Sequence, residues 1–400
     1  MTERTRVVIA GAGPVGGVLA YRLAEMGIDV VLVEPTSYPA EDMRASTFHP
    51  PTLEMMEKLG VIDDMLADGL KAPIYQYRNR ASGHVISLDM GDIADKTPYP
   101  YRLQCEQYKL ARILTGRLAT HKHGRVLFSH RLLSFEQDND GVNVHVESPL
   151  GIEHFRADYL IGADGASSTV RKWLEVEFDG FTYPERFLTL STDYPIHDHY
   201  NGLANVSYMS DATEWCVLLR VPKLWRVLVP SQLDESEEDL LSDAKKTAVF
   251  GGLVPDGAGI TTYHRTIYRV HQRVARNFRR GRVILVGDAA HLNNPLGGFG
   301  MNSGIHDAWN LADKLGNIML NNGNADALLD HYERQRKTVA NEFVQAQTIK
   351  NKQAMEAPSD GGPSLQEQQM DKLAADLDMR RDYMMNQAMF RSLDREREIA

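Results

Sequence analysis

Arg6-Val7-Val8-Ile9-Ala10-Gly11-Ala12-Gly13-Pro14-Val15-Gly16 stands near the start of the chain and decides the reading of its fold. An apolar run of strand length meets three glycines, which lead into an Ala/Leu-rich stretch ending near Gly27. Val30-Val31-Leu32-Val33 then predicts a second strand, closed by Glu34. Strand, glycine turn, helix and strand within about thirty residues make a βαβ unit. Gly11 permits the tight turn, Gly13 lets a pyrophosphate approach the backbone, and Gly16 allows close packing of helix on strand. Pro14 and Val15 start the helix whose N-terminus would face the phosphates, and Glu34 stands where a carboxylate accepts hydrogen bonds from an adenosine ribose. Alone, this motif does not separate FAD from NAD.

Beyond it, the 400 residues are enough for two or three lobes around a large core. With 44 Lys and Arg against 54 Asp and Glu, the formal net charge is -10, so the basic footprint of a nucleic-acid binder is missing. Cys105 and Cys216 are too far apart to suggest a metal site or a disulfide framework, and two buried thiols are expected. No apolar run approaches the roughly 20 residues of a membrane span, and the N-terminus reads without a secretory leader, so no stable membrane insertion and a cytoplasmic location are expected.

Along the chain, residues 74–90 and 125–149 read as antiparallel strands, the latter with an Asp140-Gly141 turn. Residues from about 180 to 275, rich in Tyr, Trp and Thr, read as an inserted sheet lobe. A strand at 282–286, glycine-rich turns and a long helical region to about 355 follow. Ser359-Asp360-Gly361-Gly362-Pro363 separates off a polar, helix-prone tail, which either packs on its own lobe or forms a homodimer contact.

Two further motifs follow strands. Gly162-Ala163-Asp164-Gly165 continues through Ser168 to Arg171, and Gly287-Asp288-Ala289-Ala290-His291 places an aspartate where it can bind a sugar-like hydroxyl. Asn294-Pro295-Leu296-Gly297-Gly298-Phe299-Gly300-Met301-Asn302 then supplies a flexible backbone and a helix start whose N–H groups can stabilise negative charge.

Together, the three segments resemble the class A flavoprotein aromatic hydroxylases, the para-hydroxybenzoate hydroxylase group, over about residues 5–345. Phe178-Asp179-Gly180, Leu224-Trp225-Arg226-Val227, Tyr268 to Arg273 and Asn294-Pro295 look similar to the para-nitrophenol monooxygenase type within that family. The resemblance implies an α/β, Rossmann-like FAD-binding fold with an inserted mixed-sheet substrate lobe and C-terminal helices. Residues 1–73, 98–175 and 276–345 would form the discontinuous FAD domain, 74–97 and 176–275 the substrate lobe, and 346–400 a helical tail. FAD would be held by Gly11, Gly13, Pro14, Val15, Gly16, Glu34, Asp164 and Asp288, and by Pro295, Gly298, Gly300, Met301 and Asn302. Arg44 and Gln107 match two further flavin-contacting positions.

The resemblance also implies the reaction: NADH or NADPH reduces FAD, O2 adds to give a C4a-hydroperoxyflavin, and a small phenolic or hydroxy-heteroaromatic substrate takes one oxygen. Pro295 would lie beside the oxygen-reacting face of the flavin. Tyr208 and His49 are candidate catalytic groups, and Tyr194, Tyr208, Trp215 and Arg220 candidate substrate contacts by residue type and location. His291 is more readily structural than catalytic. A flavin-dependent oxidase or reductase, or a halogenase, could use the same scaffold, although Leu224 to Pro230 does not match the Trp-x-Trp-x-Ile-Pro of halogenases. A non-catalytic flavin-binding regulator is a more distant alternative.

Overall fold

A computed structural model describes residues 2–39, 41, 45–210, 215–356 and 365–400. Thr2–Ala10 and Val30–Glu34 pair in parallel around the helix Pro14–Glu25, with Val7 opposite Val30 and Ala10 opposite Val33. Both faces of the first strand are covered, which is why it is a continuous apolar run; Val7, Val8 and Ile9 are fully buried. The sheet runs Arg279–Arg280, Val283–Leu285, Gly151–Gly162, Thr2–Ala10, Val30–Glu34, Gly124–Phe128. Val142–Ser148 and Arg131–Gln137 extend it as an antiparallel flap.

The reading of 125–149 needs one correction. Gly124–Phe128 pairs in parallel with Val30–Glu34, because the helix Gln107–Ala119 precedes it as a crossover. Only the strands that follow are antiparallel.

A second sheet is ordered His291–Leu292, His264–Ala275, Phe178–Thr192, Trp225–Pro230, Trp215–Arg220, Val206–Ser210, Ile74–Asn79, Val85–Asp89. Its alternating residues feed two cores. Phe187, Tyr208, Val217 and Leu228 share one, and Leu188, Leu190, Leu218 and Val227 share the other with Val249 and Phe250. The latter two belong to a helix, Asp243–Gly251, that follows Glu237–Leu241 in a region read as strands and turns. Ser236 and Asp239 form a reciprocal capping box at the start of this pair, and Ser242 caps the second helix. Thr47–Phe48, Arg102–Gln104 and Leu70–Ala72 form a small third sheet.

The long helix Phe299–Asn321 packs on Pro14–Glu25 and is followed by Ala325–Val339, a six-residue π-helical turn at Ala340–Gln345, and Ala346–Glu356. The tail packs on its own chain. Asn79 donates to Glu367 at 2.7 Å, His84 meets Asp371, and Arg381 pairs with Asp95. Such exposed pairs contribute little, so the attachment rests on Met384 and Ala388, fully buried in the core of the second sheet. The last helix, Phe390–Glu398, lies instead on Ala325–Val339. Cys105 and Cys216 are both buried and free, and burial pushes the Cys105 thiol up to about 12. No helix among the described residues is long and apolar enough to cross a membrane.

At the centre of the helical layer, Asp307 accepts from the backbone N–H of Gly287 at 2.9 Å, from His291 Nε2 at 2.7 Å and from Arg336 Nε at 2.6 Å. Arg336 also pairs with Glu396 of the last helix. Burial alone would raise the Asp307 pKa, but His291 and Arg336 outweigh it and hold the carboxyl at about 2. Because this pKa lies below the ordinary 3.8, the associated stability is present above about pH 4 and lost as pH falls through the folded value. Arg336→Met, which strands the buried carboxylate, is expected to cost about 3–5 kcal/mol in denaturant unfolding at neutral pH. Asp307→Asn should flatten the acid limb of the stability–pH curve.

Candidate active site

Gly11 adopts φ +103°, and a Cβ there would stand 2.4 Å from the carbonyl oxygen of Ala163, so only glycine lets the first and second motifs touch. A Cβ on Gly16 would meet the Gly11 carbonyl at 2.0 Å. Gly13 differs: a Cβ there meets nothing within 4 Å, so the glycine faces open space. The helix it caps has no side-chain cap, leaving the amides of its first turn available to an anion. Glu34 accepts from Ala12 N at 2.8 Å and from the Thr36 hydroxyl at 2.8 Å, which fixes its carboxylate at the end of the second strand.

In the second motif, Asp164 accepts from the Ser168 hydroxyl and from the N–H groups of Thr169 and Val170, so its carboxylate shapes its own loop. Arg171 then donates to the carbonyls of Ala166 and Ala289 at 2.7 and 2.9 Å, joining this loop to the third motif. Gly287 packs against Val15, and Asp288 follows it on the wall of a cavity.

The loop from Asn293 to Met301 is held on several sides. Gln272 accepts from Asn294 N at 3.0 Å while donating to Thr348 Oγ1 at 2.8 Å and to the carbonyl of Gln345 in the π-helical turn. Asn351 donates to the Leu296 carbonyl. The Pro295 carbonyl accepts from Gly298 N at 3.0 Å, closing a turn through Gly297 and Gly298, with φ of +109° and +71°. Gly298 caps the long helix without a side-chain cap, so another set of amides is available. Asn302 donates to the carbonyls of Gly298 and Thr47 and accepts from His49 N, acting as a buried clamp.

These segments surround a cavity of about 570 Å³. Gly13, Pro14, Val15, Gln107, Asp288, Pro295 and Gly298 to Met301 line one end. Thr189, Val206, Tyr208, Val217, Leu219 and Leu228, from the second sheet, line the other. The residues fit FAD: an open glycine cradle, two uncapped helix N-termini, an anchored ribose-side carboxylate and an aspartate on the wall between them.

Several expected contacts are corrected. His49 is fully buried, donates from Nε2 to the Gly297 carbonyl at 2.9 Å and stacks on Phe299, off the cavity wall. Burial, with Arg102 nearby, lowers its pKa well below 6.5, so it is a neutral prop for the glycine turn. Trp215 lies on the same sheet face as Val217 but beyond the cavity, packed on Phe187. Arg220 has the opposite strand parity and sits over Trp225, and Tyr194 hydrogen-bonds His199 on the far side of the sheet. His291 is held by Asp307 away from the cavity. Arg44 lies outside the described residues.

Conversely, Arg102, Arg226 and Tyr268 line the cavity and were not singled out as site residues. Arg226, 3% exposed, carried a readable signal, since a charge inside Trp225-Arg226-Val227-Leu228-Val229 is unusual for a core strand. Behind Tyr208 stand the buried Tyr75 and the half-buried Tyr77 and Tyr383, with pKa values raised well above 10 chiefly by desolvation. Tyr77 stacks on Tyr208, and its hydroxyl lies 3.1 Å from that of Tyr383 in the tail.

The profile of the family described as "FAD binding domain" matches residues 4–347. The chain belongs to this family. It is 33% identical over 343 residues to para-nitrophenol 4-monooxygenase from a Pseudomonas strain, covering 84% of each chain. It is also 33% identical to 6-hydroxy-3-succinoylpyridine 3-monooxygenase from Pseudomonas putida, covering 88% of this chain and 89% of that one. The crystal structure of p-nitrophenol 4-monooxygenase from Pseudomonas putida superposes with a TM-score of 0.91 at 30% identity, covering 98% and 99% of the two chains. The recognised fold and the FAD cofactor are thereby shown, as is membership among the FAD-dependent aromatic monooxygenases.

The contrast between glycines gives a direct check. Gly13→Ala should leave the melting temperature of the FAD-free protein unchanged while weakening FAD binding by roughly tenfold or more, measured by flavin fluorescence titration. Gly11→Ala should lower both.

Proposed function

We propose that this chain is an FAD-dependent, NAD(P)H-consuming monooxygenase that hydroxylates a small phenolic or hydroxylated heteroaromatic compound. The observation that carries the reading is one continuous cavity, whose cofactor end is built from the FAD-domain segments and whose far wall is the inner face of the second sheet. Relatives whose names specify a nitrophenol and a hydroxypyridine derivative support this substrate class. Residues 74–97 and 176–275 then serve as the substrate lobe. A cytoplasmic setting accords with the need for a nicotinamide reductant.

Bound FAD supplies the redox chemistry, taking electrons from NAD(P)H and activating O2. The chain supplies position and dryness. Val206, Val217, Leu219, Leu228 and Leu296 exclude water around the acceptor ring. Tyr208 brings a phenolic hydroxyl to the substrate end, is 7% exposed and is positioned by its stack on Tyr77. The hydrogen-bonded Pro295–Gly298 turn and its clamps, His49 and Asn302, keep the backbone of the cofactor end in one arrangement. That preorganisation lets dipoles stabilise charge without rearranging.

The test is NADH and NADPH oxidation by the FAD-loaded protein across phenols and hydroxypyridines, with oxygen and peroxide followed in parallel. Turnover with little peroxide and a product heavier by one oxygen is expected for at least one substrate. Flavin reduction that yields only peroxide across the panel would sink the reading and favour an oxidase or reductase. Tyr208→Phe is expected to lower kcat/KM by roughly a hundredfold with FAD content unchanged.

A further inference from the structure

Arg102 has no role in the cofactor site just described, yet it lines the same cavity. It rises from the strand Arg102–Gln104 and is 2% exposed. Its Nε has no hydrogen-bond partner, and no carboxylate pairs with it among the described residues. Its surroundings are aromatic: the guanidinium lies 4.4 Å from the centre of the Tyr75 ring, with Tyr208 and Tyr77 as polar neighbours. His49, also near, is held neutral. A second guanidinium, that of Arg226, is 3% exposed on the same cavity wall.

A buried cation without a counter-charge is strongly unfavourable, and stays in a fold when something else compensates it. Here Tyr208, through its hydroxyl, and Tyr75 and Tyr77 offset part of that cost. They are neutral aromatic partners and leave Nε unused, so the guanidinium stands ready for an anionic group of the molecule that fills the cavity.

We propose that Arg102 is the specificity-determining residue of the substrate site, receiving an ionised oxygen of the aromatic substrate, either a phenolate or a ring carboxylate. The contact is a charge-assisted hydrogen bond in a site shielded from water, where such bonds are strongest. Tyr208, beside Arg102, brings a hydroxyl to the same oxygen. Recognition and activation coincide for a phenol, since a cation that binds the phenolate keeps it ionised at a pH where the free phenol is not. This deepens the hydroxylase reading and rests on it for the aromatic class, but its test needs no turnover.

The experiment uses the FAD-loaded, oxidised full chain without NAD(P)H. A chromogenic nitrophenol, its methyl ether and a hydroxybenzoate are titrated between about pH 6 and 9, with binding followed by difference absorbance and thermal shift. The nitrophenol is expected to bind as its coloured phenolate with its pKa brought down by about one to three pH units. The ether should bind roughly ten- to a hundredfold more weakly than the better of the two ionisable ligands. If the phenol is the better ligand, the source is a phenolate; if the hydroxybenzoate binds better with a pH-independent affinity, the source is a carboxylate.

Arg102→Met should abolish this discrimination while keeping stoichiometric FAD and a ligand-free melting temperature equal to or above that of the wild type, and Arg102→Lys should restore part of it. The proposal is overturned if the nitrophenol binds neutral, if the ether binds as tightly as both ionisable ligands, or if no member of the series binds. It is equally overturned if Arg102→Met lowers the melting temperature and weakens every ligand alike. Should the methionine variant fail to fold, the wild-type titrations decide alone. Anion discrimination without oxygenated product would leave the Arg102 assignment standing and the hydroxylase reading fallen.

Discussion

The buried carboxylate of Asp307 is the fixed point of the cofactor end. Its three donors come from the turn at Gly287, the short strand at His291 and the helix carrying Arg336, so one side chain sets the relative positions of three elements. Desolvation opposes its charge, and that charge survives because His291 and Arg336 face it together. The glycines at 297 and 298 need outside help of this kind. They carry no side chains with which to hold themselves, and His49 and Asn302 do it for them.

What could be read from sequence was whatever the backbone itself demands. A strand, a glycine at positive φ and a helix start leave a local record, which is why the cradle at Gly11 to Gly16 and the turn at Gly297 and Gly298 stood out. That these segments belong to one site was not local information. The contact of Gly11 with Ala163 and the reach of Arg171 to Ala289 are long-range, and only the family resemblance brought the motifs together beforehand.

The substrate end was less legible for a physical reason. Residue type nominates Tyr208, Trp215 and Arg220 equally, but strand parity and distance along the strand separate them, and neither is known before register is. Arg220 fell on the wrong face, and Trp215 on the right face but beyond the cavity. His49 was misjudged because its partner, the Gly297 carbonyl, is 248 residues away. Arg102 sits in a strand of three residues, too short for any periodicity to mark it as buried.

The tail carries a further consequence. Its first helices complete the core of the sheet lobe through Met384 and Ala388, and its last helix supplies Glu396 to Arg336 in the layer behind the cofactor end. The FAD binding domain profile stops at 347, well before either contact. The stretch that profile marks and the unit of cooperative folding therefore differ. Loosening of the final helix would be felt simultaneously as a loss of order in two lobes that share no continuous stretch of sheet.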